Sequence, residues 1–111
     1  MQKRAEFDKC AELLKALADP NRLRIVQYLF TGPIRVSDLC DALGDEIVKV
    51  SHHLKVLRKH GLVQAERQGR EIVYSLPAEV TGKATGHVDL GCCCLDLRSP
   101  LAARVDAAAS L

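Results

Sequence analysis

KVSHHLKVLRKHGLV, residues 49–63, is the stretch whose reading decides the fold. Val50, His53 or Leu54, Leu57 and Leu62 recur at roughly helical spacing, while Lys49, Ser51, His52, Lys55, Arg58 and Lys59 fall mostly on the other side. The pattern predicts a helix with one face for a core and one for a polyanion. Gly61 ends it, because glycine suits the left-handed conformation that closes many helices, and Lys59 and His60 lie favourably at its carboxyl end.

Working outward, residues 35–43 form a second, short helical pattern with Val36, Leu39, Cys40 and Leu43 inward and Gly44 as its stop. Asp45 and Glu46 then stand at the start of the next helix, where negative charge meets exposed amides. Two helices joined by a tight turn at Gly44 read as a helix-turn-helix whose second helix is the basic one. After Gly61 the period changes from helical to extended. Residues 62–66 and 72–76 are two short strands around Arg67, Gln68, Gly69 and Arg70, a hairpin with a basic tip. Beside a recognition helix such a hairpin is a wing, and Arg67 and Arg70 can reach a phosphate or the minor groove.

Further upstream, residues 6–17 place Phe7, Cys10, Ala11, Leu13, Leu14 and Leu17 on a broad helical stripe. Asp19 and Pro20 then suit the cap and first turn of another helix over residues 21–30, with Leu23, Ile25, Val26 and Leu29 inward. Downstream of Pro77 the composition shifts to Gly, Thr and Cys with little periodicity, which predicts an extended tail. Ser99 and Pro100 can start a short Ala-rich helix over residues 101–109 that needs packing to persist. The chain therefore divides into a winged helix-turn-helix region, residues 1–76, and a cysteine-rich tail, residues 77–111.

At 111 residues with 48% apolar content, the chain supports one small domain that buries only about two-thirds of its surface, so a partner chain would help. Aromatic residues are 4% and Trp is absent, leaving Leu, Val, Ile and Ala to build packed helices. The net charge is +2, yet residues 49–70 hold six Lys or Arg against one acid, so the basic surface is local, as nucleic-acid contact requires. No signal-peptide pattern and no apolar run near ~18 residues occur, which predicts a soluble cytoplasmic chain with no membrane partner. Five cysteines in that setting predict thiols or metal ligands rather than a disulfide framework.

LKALADPNRLRIVQYL, DLCDALG, VSHHLKVLRKHGLV and ERQGREIVYSL follow one another in the order and spacing of the ArsR/SmtB family of bacterial repressors, which the chain resembles from about Ala11 to Leu76. The resemblance implies a mainly α fold with a small β-hairpin, a homodimeric winged helix-turn-helix that binds double-stranded operator DNA and releases it when a metal, metalloid or thiol oxidant binds. By position it places DNA contacts at Ile47, Val48, Ser51 and His52 and at the wing tip, Arg67, Gln68 and Arg70, with Lys49 and Lys55 on phosphates. The family commonly has polar residues where this chain has Ile47 and Val48. Apolar side chains there can touch thymine methyls but cannot hydrogen-bond base edges.

The sensor departs further. Many arsenic and cadmium sensors of the family carry Cys-Val-Cys where this chain has Arg35, Val36 and Ser37, and the Asp and His ligands of its zinc sensors lie on a long final helix with no counterpart after Leu76. What the chain offers instead is Cys92, Cys93 and Cys94. Three thiolates favour soft ions, with arsenite, As(III), first and cadmium, lead or mercury next. In an extended strand Cys92 and Cys94 share a side and Cys93 points away, so joint binding needs a turn, which Gly91 permits. Cys10 is a further candidate ligand, because the family's first helix lies at the dimer interface. The alternative is a redox or persulfide sensor that switches by disulfide formation. A thiol enzyme or metal carrier is disfavoured, since no Cys-x-x-Cys motif sits beside a βαβ pattern and no catalytic constellation is apparent.

Overall fold

The computed structural model describes residues 2–81 and 86–98, with side chains from residue 5 onward. The element order is α1 (Gln2–Leu17), α2 (Pro20–Leu29), β1 (Ile34–Arg35), α3 (Val36–Leu43), α4 (Ile47–Lys59), β2 (Gln64–Gln68), β3 (Glu71–Ser75), β4 (His87–Asp89) and β5 (Cys94–Asp96). The winged helix-turn-helix expected from sequence is present, and the helix expected over residues 101–109 lies outside the described residues. Among the described residues no helix is long and apolar enough to cross a membrane.

Local chemistry sets the boundaries. Asp19 caps α2, its Oδ1 accepting from the amides of Asn21 at 2.8 Å and Arg22 at 3.1 Å, with Pro20 in the first turn. Burial tends to raise the Asp19 carboxyl, but those two amides and the nearby His53 and Arg22 outweigh it and hold the pKa below its ordinary value. Gly44 closes α3 at φ 65°, and its amide and that of Asp45 return to the Cys40 carbonyl at 2.9 and 3.2 Å. That closure turns the chain sharply into α4.

Ile25, Leu39, Val50, Leu54 and Leu57 have no exposed surface and join α2, α3 and α4 into one core. Full burial of each such side chain stabilises the fold by roughly 1.5–3 kcal/mol. The wing is an antiparallel sheet of order β1-β3-β2, with Gln68 opposite Glu71 across a turn at Gly69, φ 65°. The sequence reading missed β1 and placed Arg35 inside the third helix. Arg35 instead caps that helix from the strand and reaches Asp38 at 3.2 Å and Glu71 at 3.1 Å, which ties α3 to the wing.

Two further differences concern α1 and the tail. Of the broad apolar stripe expected on α1, only Cys10 and Leu17 are buried; Phe7 is 71% exposed, and Ala11 and Leu14 are also exposed. The stripe is wider than the core of one chain can cover. The tail is extended, as expected, but it is paired and docked: β4 and β5 form a hairpin, and Val88 enters the core with no exposed surface. The Asp89 amide donates to the Val80 carbonyl at 2.8 Å, and Gln27 Nε2 donates to the Leu97 carbonyl at 3.1 Å.

Candidate functional site

Two sets of residues carry chemistry, one on α4 and the wing and one where α1 meets the tail hairpin. On α4, burial of Val50, Leu54 and Leu57 turns Ile47, Val48, Ser51, His52, Lys55, Arg58 and Lys59 outward, and all seven are exposed. Lys49 lies on the flank with its ammonium 3.9 Å from Asp45, an exposed pair worth little in water. Glu46 precedes the helix without a side-chain cap, so the first-turn amides have no carboxylate from that residue. Ile47 at 57% and Val48 at 74% exposure are apolar groups standing in solvent at the amino end of a cationic helix. At the wing Arg67, Gln68 and Arg70 are exposed, and the Arg67 guanidinium donates to the Gly69 carbonyl, at 3.4 Å.

His53 faces inward, half-buried, as its place on the apolar side of the stretch suggests. Arg22 donates from its Nε to the Ala16 carbonyl at 2.6 Å, and one of its terminal nitrogens lies 3.2 Å from His53 Nδ1. An arginine has only donors, so this contact requires Nδ1 to accept. Asp19 lies 4.0 Å from the same ring nitrogen. The result is a polar link from the end of α1, through α2, to the inner face of α4. Sequence reasoning missed it, because nothing in the local pattern pairs residues 22 and 53.

The second set is built by a turn. Leu90, Gly91, Cys92 and Cys93 connect β4 to β5; the Leu90 amide donates to the Cys93 carbonyl at 2.9 Å, Gly91 takes φ 84°, and its amide donates to Asp89 Oδ1 at 2.8 Å. The turn that Gly91 was expected to permit is therefore made, and its tip meets α1. Cys10 and Cys92 are joined there by a disulfide with Cα atoms 6.0 Å apart. Cys93 Sγ is 3.9 Å from Cys10 Sγ and 3.9 Å from Cys92 Sγ. Among the described residues these three form the one group of potential metal ligands, with all sulfurs within 4.8 Å of one another.

The sequence reading gathered Cys92, Cys93 and Cys94 and treated Cys10 as an addition. The structure brings Cys10, Cys92 and Cys93 together and leaves Cys94 apart, exposed on β5 opposite Asp89, because the turn ends one residue before it. It also forms a disulfide where free thiols were expected, since the folded tail carries Cys92 onto α1. Cys40 stays away from this cluster. Burial, then the neighbouring Asp41 and Asp45, push its thiol pKa up, so it behaves as a small apolar residue. With the Cys10–Cys92 bond reduced, the donor set fits a soft ion: three thiols whose sulfurs lie within 4.8 Å of one another, with no hard oxygen ligand in the group.

Comparison with known proteins agrees with this architecture. A family profile described as bacterial regulatory protein, arsR family, matches residues 19–65. The transcriptional regulator NmtR of Mycobacterium tuberculosis is 54% identical over 66 residues, covering 60% of this chain and 55% of NmtR. The chain thus spans little more than half the length of that relative. The arsenical resistance operon repressor of Escherichia coli is 39% identical over 79 residues, covering 70% of this chain and 68% of the repressor. Among solved structures, the homodimeric winged helix-turn-helix DNA-binding domain Mb0332 from Mycobacterium bovis superposes with a TM-score of 0.65 at 35% identity, covering 70% of this chain and 72% of that one.

Proposed function

The chain belongs to the ArsR family of bacterial regulatory proteins, and from that premise we propose that it is a homodimeric repressor that leaves its operator when a thiophilic ligand occupies Cys10, Cys92 and Cys93 in their reduced form. The observation that carries this reading is the convergence of three sulfurs, with Cys92 82 residues and Cys93 83 residues beyond Cys10, on a helix packed against the core of the DNA-binding unit. Three sulfurs without a fourth ligand suit trivalent arsenic, whose lone pair completes a pyramid, so arsenite leads and cadmium, lead or mercury follow. Cys94 becomes a ligand only if the turn rearranges.

The outward face of α4 and the wing support the DNA half of the proposal. In this reading Lys49, Lys55, Arg67 and Arg70 supply phosphate contacts that position the protein, and the exposed Ile47, Val48, Ser51, His52 and Gln68 meet base edges or sugars. The uncovered Phe7 and Leu14 of α1 support the homodimer, because burying them against a second copy removes a large apolar stripe from water. Cys10 lies beside that stripe. A ligand bound there acts by favouring the dimer geometry that does not fit the operator, since equal affinity for both states shifts nothing.

The Cys10–Cys92 disulfide favours a second reading, in which the switch is oxidation itself. Two thiols surrender two electrons and two protons to an oxidant such as a peroxide, and Cys93 is close enough to exchange with either sulfur. One experiment separates the two. Operator release is titrated against arsenite, cadmium, lead and mercury with the protein kept reduced, and against peroxide without metal. Release by arsenite that disappears in Cys10→Ser, Cys92→Ser and Cys93→Ser supports the first reading; release by peroxide alone supports the second. Release by arsenite from the triple variant removes this cluster as the sensor.

A further inference from the structure

The helix α4 rests on the core through Val50, Leu54 and Leu57, which follow one line along it and have no exposed surface. Apolar contact is not directional, so it holds the helix against the core and leaves its roll about its own axis loosely set. That roll decides what an operator meets. At the outer radius of roughly 5–6 Å, a rotation of about 15° carries a side-chain tip about 1.5 Å, enough to lose a hydrogen bond to a base edge. His53 stands to one side of the apolar line, its side chain 14% exposed, next to the outward His52. Its Nδ1 is 3.2 Å from a terminal nitrogen of Arg22, whose Nε is anchored at 2.6 Å on the Ala16 carbonyl at the end of α1. The contact is directional and reaches α4 from its flank, where it resists roll.

We propose that Arg22 is a positioning residue for operator recognition: through the unprotonated Nδ1 of His53 it sets the roll of α4, and protonation of His53 releases that hold. This rests on α4 being the element that meets DNA. Arg22 has only donors and keeps its charge, so His53 accepts from it only as a neutral ring with its proton on Nε2. A proton added at Nδ1 sets two donors and two positive charges 3.2 Å apart, and attraction becomes repulsion. Asp19 then attracts the ring: its Oδ1 lies 4.0 Å from Nδ1 and already accepts the amides of Asn21 and Arg22 at the start of α2. Arg22 and Asp19 are the charged groups that face His53 from α2 and its cap, and α1 brings the uncharged Ala16 carbonyl. On α4 itself the His52 ring lies 5.8 Å away between centroids, and Lys49, one turn earlier, reaches to Asp45. The proton thus moves His53 from the arginine toward the cap, and α4 turns with it. Phosphate contacts from long, flexible side chains tolerate such a turn and base contacts do not, so the loss falls on discrimination between sequences.

The test uses the full chain, kept reduced, with the duplex it selects from a randomised library at about pH 8 and a scrambled duplex of the same composition. The ratio of the two affinities, read by fluorescence anisotropy, cancels the general gain of positive charge on acidification. Between about pH 8 and about pH 5, where histidine changes charge, the wild type should lose roughly tenfold in that ratio, the scale of one hydrogen bond to a charged group. His53→Ala and Arg22→Met should show the acid value at both ends of the range. His53→Asn restores an oxygen acceptor in place of Nδ1 and does not titrate, so it should recover most of the ratio and change less than about twofold with pH. Circular dichroism of each variant checks that it folds, and nitrogen NMR of wild-type histidines at about pH 8 should find the His53 proton on Nε2 without any substitution. A flat wild-type ratio, an equal acid loss in His53→Asn, or a neutral ring protonated at Nδ1 would each overturn the proposal. If the wild type selects no duplex at all, the reading of α4 as the DNA-contacting element fails and the proposal falls with it; selection of a duplex with a flat ratio removes the proposal alone.

Discussion

Breaking the Cys10–Cys92 bond should cost the fold a large part of its stability, and the size follows from where the bond sits. It closes a loop of 82 residues. In the chain-entropy treatment a 15-residue loop is worth about 3 kcal/mol and a 100-residue loop about 4.7, so this one stands near 4.5 kcal/mol as an upper figure. Against a typical total of about 5–15 kcal/mol, that is the difference between a robust domain and a marginal one. The assay is urea unfolding of oxidised and reduced protein at one fixed concentration, which keeps any dimer contribution constant. With a urea slope near 2 kcal/mol per molar, the midpoint should fall by about 1–2 M on reduction. Cys92→Ser alone should lose less than reduction does, because Cys93 lies 3.9 Å from Cys10 and can replace the missing partner. Cys92→Ser with Cys93→Ser should match the reduced protein even without reductant. Coincident midpoints for oxidised and reduced wild type would refute the reasoning, as they would mean that the tail does not restrain the unfolded chain.

Three other outcomes are expected. Lys49→Ala with Lys55→Ala should flatten the dependence of log affinity on log salt by about 0.9 for each phosphate no longer neutralised, close to 2 in all, and an unchanged slope would show that these ammonium groups do not meet phosphates. Replacing single operator thymines with deoxyuridine should weaken binding roughly fourfold where Ile47 or Val48 meets the methyl, the effect of about 0.8 kcal/mol for one buried carbon, and Val48→Ser should abolish that sensitivity at its own position. Arg98 bonds the Asp96 carboxylate and lowers its pKa to about 2, with the backbone amide of Arg98 helping. Because the folded value is depressed, the pair stabilises the fold above the ordinary carboxylate range and that contribution is lost as pH falls through about 4 toward about 2. Asp96→Asn should therefore make the acid limb of a stability profile shallower, and an identical limb would remove the pair from the account.

Much of the fold was legible because its determinants are local. The apolar spacing of Val50, Leu54 and Leu57, the stops at Gly44 and Gly61 and the cap at Asp19 each act within a few residues, and each is found where the sequence placed it. The short strand β1 escaped because two residues carry no period, and its pairing with Tyr74 and Val73 depends on a partner about forty residues away. The stripe on α1 was legible as apolar, but periodicity does not show what covers such a face.

What the sequence determined alone was the helix that stops before Gly61, its basic outer face and the hairpin beside it, because side chains three and four apart on a helix are neighbours whatever the rest of the chain does. It also showed that soft ligands were at hand in Cys92, Cys93 and Cys94. The tertiary structure alone decided which thiols meet. A tight turn at Gly91 presents Cys92 and Cys93 to α1 and leaves Cys94 on a strand, and the docking of Val88 in the core brings that turn to Cys10. Contacts across 82 residues are set by the path of the chain through the core, and that path is fixed by packing, which no local pattern records.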